Sequence, residues 1–249
     1  MTRTDILFIL KKRELISNNL DDWNCKYSST NSSGLYNSVL FVNTMLNNLG
    51  YNSNMVEVID NNCIDREVTK YRPKVVIIEA LWVVPDKFDI LKKLHPTVQW
   101  ICRLHSEIPF LAVEGIAIDW LKKYNEKNVL ILTNSLRVVE SLNLFFEDKL
   151  KYAPNYYLFT EMSPIPKPET DVINISCFGA IRPLKNQLIQ AIAAIQVANY
   201  NYKKLKFYIN STRKEQNGEP VLRNIEALFT GTDHELIKVP WLNHEDFLN

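Results

Sequence analysis

The stretch CFGAIRPLKNQ sets a glycine, an arginine and a lysine three residues apart, at Gly179, Arg182 and Lys185. Two full positive charges close behind a glycine suit an anion, and phosphate is the natural candidate. Val172 to Phe178, just before, is short, apolar and carries β-branched residues, as a mostly buried strand does. The residues after it read as a helix. Pro183 fits its first turn, Asn186 can cap free N–H groups, and Leu188, Ile192 and Ile195 share a face at spacings of four and three. A helix N-terminus offers unpaired N–H groups and partial positive charge, so strand, loop and helix would turn backbone and both cations toward one anion. The competing reading is a glycine that only turns the chain, with both cations solvated.

The elements that would hold such a site recur along the chain. Ile6 to Leu10 reads as a first strand, followed by a long polar stretch to Gly34 with no clear periodicity. Leu35, Val39, Val42, Leu46 and Leu49 then trace a helical face that Gly50 closes. Strands follow at Met55 to Ile59, around Val75 to Ile78, in VQWICRLH up to His105, and at Val129 to Leu132. Helices are expected in PDKFDILKKLHP, within PFLAVEGIAIDWLKKY and in LRVVESLNLFF. Apolar strands alternating with amphipathic helices imply a parallel sheet covered on both faces, a doubly wound α/β domain. Glu79 interrupts one strand and reads as a carboxylate that reaches the cleft or, in preference, is solvated at the strand end.

Composition changes at TEMSPIPKPET, where Pro164, Pro166 and Pro168 exclude a helix interior or central strand. The expected organisation is a domain over residues 1–160, a proline-rich linker over 161–170, and a second domain from 171 to 249. In the second, KLKFYIN and ELIKVPW read as strands and PVLRNIEALF as a helix; Ser211 and Trp241 fall at the two strand ends.

The 249 residues are 46% hydrophobic and 23% charged, as in an ordinary globular protein, with a formal net charge of +1 that gives no reason to expect bulk nucleic-acid or membrane binding. No apolar run approaches the ~20 residues of a spanning helix, and the N-terminus lacks a signal-peptide pattern, so a cytoplasmic protein is expected. Cys25, Cys63, Cys102 and Cys177 form no C-x-x-C pair, which argues against a zinc site or a disulfide framework.

Two doubly wound units joined by a linker, with G-x-x-R-x-x-K-N in the second, resemble the GT-B glycosyltransferases, particularly the group 1, family 4-like retaining enzymes. The resemblance is ordered. SSGLYNSVLFVNTMLNNLGYNSNMVEV is similar to the family's glycine loop and first helix, RLHSEIPF to its strand-end histidine, NVLILTNSLRVVESL to its strand-serine-helix segment, KYAPNYY to its Pro-Asn turn, and INISCFGAIRPLKNQLIQAI to its donor segment.

The resemblance implies two Rossmann-like parallel-sheet domains and transfer of a sugar from a nucleotide-sugar donor to an acceptor it does not identify, with retention and without a metal or cofactor. Arg182 and Lys185 would bind the donor diphosphate and Gly179 would let the loop approach it. Gly34 would bring backbone N–H groups near the phosphates or acceptor, or be a plain tight turn. His105 would contact the transferred sugar, or be satisfied locally. Ser211 and Trp241 would line the nucleotide pocket, the indole facing the base, or Trp241 would be core. The family's acidic pair would lie beyond Asn249, so the donor domain is expected to be incomplete and the chain truncated, with an edge and a face that more polypeptide or a second copy would cover. A non-catalytic nucleotide-sugar-binding or scaffolding subunit and a nucleotide-sugar epimerase are the alternatives.

Overall fold

Parallel strands dominate the computed structural model, which describes residues 3–12, 34–147, 149–157 and 171–242. The chain divides into two compact units, Met1–Thr160 and Glu161–Asn249, each with its own sheet. The proline-rich stretch and residues 13–33 lie outside the described residues.

The first unit holds strands β1 (Ile6–Lys11), β2 (Ser53–Val58), β3 (Val75–Glu79), β4 (Gln99–Leu104), β5 (Leu130–Thr133) and β6 (Lys151–Tyr152), in spatial order β2-β1-β3-β4-β5-β6, all parallel. Its helices are α1 (Gly34–Asn48), α2 (Ile64–Tyr71), α3 (Lys87–Leu94), α4 (Ile108–Leu111), α5 (Ala117–Glu126) and α6 (Leu136–Phe146). Alternate strand residues feed two cores. Phe8, Leu10, Ile77 and Ile101 pack with Val39 of α1, whereas Leu7, Ile9, Val76, Ile78 and Trp100 pack with residues of α2, α3, α5 and α6. Stepping from β1 out to β2 and then back past β1 to β3 reverses the winding, and open α/β sheets bind ligands beyond the strand ends at such a reversal.

The second unit holds β7 (Val172–Cys177), β8 (Lys204–Asn210) and β9 (Glu235–Val239) in that order, parallel, with α7 (Gln187–Tyr200) and α8 (Gly218–Phe229) between them. Ile175, Leu205, Phe207 and Ile209 pack with residues of both helices. The opposite face is largely polar. The Tyr208 hydroxyl donates to Asn174 at 3.1 Å, and Lys206 pairs with Glu235 at 3.7 Å.

Several local expectations change. The eight-residue α2 had no reading from sequence, because only Ile64 and Val68 mark its apolar side amid charges. The helix expected within PFLAVEGIAIDWLKKY is two, α4 and α5. Leu49 lies past α1 and is exposed. In α7 the buried positions are Gln187, Ala191, Ala194 and Ala198, while Ile192 is exposed and Leu188 and Ile195 are only half-buried. Small residues let the helix lie close to the sheet. Asn186 makes no side-chain cap; it is left-handed at φ +58, between a 3-10 turn at Pro183–Lys185 and α7.

Candidate functional site

Glu79 ends β3, and its register partner on β4 is Arg103. Sequence reasoning favoured a solvated Glu79, yet it has no exposed surface. Its Oε2 lies 2.5 Å from Nε2 of His105, and its Oε1 lies 3.5 Å from Nη1 of Arg103, an ion pair too long for a hydrogen bond. Nη2 of Arg103 donates to Asn155 Oδ1 at 3.0 Å and, more weakly, to Ser38 Oγ at 3.4 Å. The Ser38 hydroxyl donates to the same Asn155 oxygen at 3.0 Å. One buried cation thus ties α1, β3, β4 and the turn after β6 together.

The backbone turns sharply at this point. Ala80 is left-handed at φ +68, a conformation costing an alanine about 1–2 kcal/mol. Its N–H donates to Arg103 O at 2.9 Å, and the Trp82 indole donates to Glu79 O at 2.9 Å. Burial, helped by the charge of Glu79, pushes the Cys102 thiol up from its ordinary range, which keeps it a protonated core residue and not a nucleophile. Gly34 opens α1, and a Cβ there would meet nothing among the described residues. Ser135 is the N-cap of α6, accepting from Val138 N–H at 3.4 Å.

The second unit gathers its polar loops at the carboxyl ends of β7, β8 and β9. Asn210, buried at the end of β8, accepts from Gly179 N–H at 2.9 Å and donates to Pro240 O at 3.1 Å, so one side chain joins all three strand ends. Gly179 has φ +119, and a Cβ on it would touch nothing among the described residues. Glycine is there for its backbone conformation, with no described residue crowding the place of a Cβ. Its N–H is engaged with Asn210 and is not free to address an anion.

The loop after β7 pairs with the loop after β8. Ile181 N–H donates to Arg213 O and Glu215 N–H donates to Ile181 O, both at 2.9 Å. Gly218, opening α8, fits beneath this pairing, since a Cβ would fall 2.0 Å from Ile181 O. The pairing brings charges together. Glu215 Oε1 takes Arg213 Nε at 2.7 Å and Nη2 at 2.5 Å, while its Oε2 lies 3.5 Å from Arg182 Nη1. The Arg213 guanidinium stacks 4.6 Å over the Trp241 ring, whose backbone N–H donates to Thr212 Oγ1 at 3.0 Å. One face of the indole thus carries a cation. Lys185 is exposed on the 3-10 turn, its ammonium without an ion-pair partner among the described residues. Ser211 is half-buried, its N–H donating to Val239 O at 3.1 Å.

Gly179, Arg182, Lys185, Ser211 and Trp241 therefore share one edge of the second sheet, while Gly34 and His105 belong to the first unit. Sequence reasoning gave no role to Arg103, Ser38, Arg213 and Glu215, and flagged Asn155 only as part of the Pro-Asn turn in KYAPNYY. A signal existed for one of them: VVIIE and QWICRL are apolar strands that each carry a single charge near the carboxyl end, of opposite sign. Among the described residues no group of three His, Cys, Asp or Glu could hold a metal ion. A cleft of about 1400 Å³ opens instead among Arg3, Asn54, Lys70, Arg72 and His95, at the amino ends of the first sheet. Open α/β sheets bind ligands at the other edge.

Sequence comparison finds no family pattern and no characterised protein that matches the chain. Structural comparison does. The catalytic domain of starch synthase IV from Arabidopsis thaliana, bound to ADP and acarbose, superposes with a TM-score of 0.60 at 10% identity, covering 97% of this chain and 75% of that one. An α-glucosyltransferase in complex with UDP and a 13-mer DNA containing a central A:G mismatch superposes with a TM-score of 0.55 at 11% identity, covering 98% and 68%. What is shared at such identities is the fold: the two parallel sheets follow part of the GT-B, Rossmann-like plan of these glycosyltransferases.

Proposed function

We propose that the chain is a glycosyltransferase that binds a nucleotide-sugar donor at the carboxyl edge of its second sheet and passes the sugar to an acceptor. The observation that carries this reading is the cluster of Arg182, Arg213 and Lys185 beside the open glycine turn, on a fold whose solved examples above hold ADP or UDP. Arg182 and Arg213 share one carboxylate, Glu215. A diphosphate would offer both guanidiniums a more highly charged partner.

As the bond from the anomeric carbon to the diphosphate oxygen breaks, its electrons leave with the diphosphate and negative charge grows there. Cations fixed beside that oxygen stabilise the transition state more than the ground state. We read the reaction as retaining and metal-independent, after the family 4-like pattern, with Arg182 and Lys185 compensating the leaving group. His105 is the residue we assign to the transferred sugar, and Ser211 and Trp241 to the nucleotide.

Calorimetric titration of the chain with UDP and with ADP tests the reading. Binding of at least one is expected, weakened about 10- to 100-fold by Arg182→Ala or Lys185→Ala, the effect of losing one charge-assisted hydrogen bond of roughly 1.5–3 kcal/mol. No heat with either nucleotide, or affinities unchanged in both variants, would sink it.

A further inference from the structure

Glu79 is an acidic side chain with no exposed surface, so its charge must be met from within the protein. Two groups meet it, His105 at Oε2 and Arg103 at Oε1. Arg103 already supplies one full positive charge. A second, on His105, would leave an excess cation among side chains only 3% and 16% exposed, so the charge count favours a neutral imidazole.

The tautomer follows. An ionised carboxylate can only accept, so the His105 nitrogen 2.5 Å from it carries the proton. A neutral imidazole has one N–H, and Nδ1 is left as an acceptor. Among the described residues nothing donates to Nδ1, and the ring keeps part of its surface open. The strained Ala80, directly after Glu79, sits where backbone outliers accompany function.

We propose that Glu79 is the positioning residue for His105: it fixes the Nε2–H tautomer and so makes Nδ1 a standing hydrogen-bond acceptor for a hydroxyl group of the ligand. Arg103, held by Asn155 and Ser38, keeps the carboxylate in place and links it to α1. Which hydroxyl arrives rests on the glycosyl-transfer reading: one on the donor's sugar or one on the acceptor.

The test is nitrogen-15 NMR of histidine-labelled chain near neutral pH, with the His105 signals assigned by their loss in His105→Asn. A bare Nδ1 and a protonated Nε2 are expected. In Glu79→Gln, Arg103 will draw the amide oxygen to the Oε1 position and turn the NH2 toward His105, reversing the tautomer to Nδ1–H. A protonated Nδ1 in the unaltered chain overturns the proposal, whether or not the variant folds, and so does a tautomer unchanged by the substitution.

UDP-glucose and maltose then separate the sources. A shift of the Nδ1 signal with UDP-glucose but not with UDP assigns the donor's sugar, and a shift with maltose alone assigns the acceptor. A signal unmoved by either overturns the hydroxyl role. Nucleotide calorimetry is a separate readout: UDP binding with the wrong tautomer leaves the transferase reading intact and removes this one, and the right tautomer without nucleotide binding does the reverse.

Discussion

At the carboxyl ends of the first sheet the charges are buried and face one another, whereas at the same ends of the second sheet they lie half-exposed in loops, with cations outnumbering carboxylates among the described residues. Glu79 and Arg103 are 0% and 3% exposed in their side chains; Arg182 and Glu215 are 23% and 29% exposed. Solvent makes the difference. A buried ion must find its partner within the fold, but a loop cation can stay unbalanced until a ligand arrives. The first edge can therefore set the geometry of one imidazole, while the second can take up a polyanion.

The largest effect expected from this contrast is on stability. Arg103→Met removes the full charge that faces the solvent-inaccessible Glu79 carboxylate, leaving it only its contact with His105, and should cost about 3–5 kcal/mol, read as a lower urea midpoint. The matching change in the second unit, Arg182→Met, removes a half-exposed pair at 3.5 Å and should cost about 1 kcal/mol or less. Equal losses would erase the distinction between the two edges.

Next in size is Gly218→Ala. Its methyl group would meet Ile181 O at 2.0 Å, and backbone cannot swing aside as a side chain can. The loops after β7 and β8 must part, at about 1–3 kcal/mol, the range of overpacking. Since those loops carry Arg182 and Arg213, UDP affinity should fall in the same variant though no cation is removed. Unchanged affinity would mean that the loop pairing does not align the guanidiniums.

The two edges were also unequally legible. Gly179, Arg182 and Lys185 stand in one continuous stretch, so their spacing spoke for an anion before any fold was known. The buried cluster is scattered over Ser38, Glu79, Arg103, His105 and Asn155, and only strand register makes Glu79 and Arg103 neighbours. Strands were read well because β-branched runs such as VVII leave little choice. The buried face of α7 was misjudged because that helix is apolar nearly all round: Ile189, Ile192 and Val197 are exposed while alanines pack inward, and periodicity cannot choose a phase when every side is apolar. Glu215 gave no signal at all. An acid two residues from an arginine is ordinary in a loop until the backbone bond to Ile181 turns it toward Arg182.

The smallest stability effect, and the sharpest separation of structure from binding, is expected from Arg213→Ala. It removes the closest contacts of Glu215 and the cation over Trp241, both half-exposed, so stability should change by about 1 kcal/mol or less. Glu215 would then belong to Arg182 alone, and a diphosphate would have to win that guanidinium from an undivided carboxylate while meeting one cation fewer. UDP affinity should therefore drop at least as far as in Arg182→Ala, with little movement of the urea midpoint. A loss of stability approaching that of Arg103→Met, with affinity intact, would show that the second cluster is structural like the first, and that the anion it was built to hold is its own Glu215.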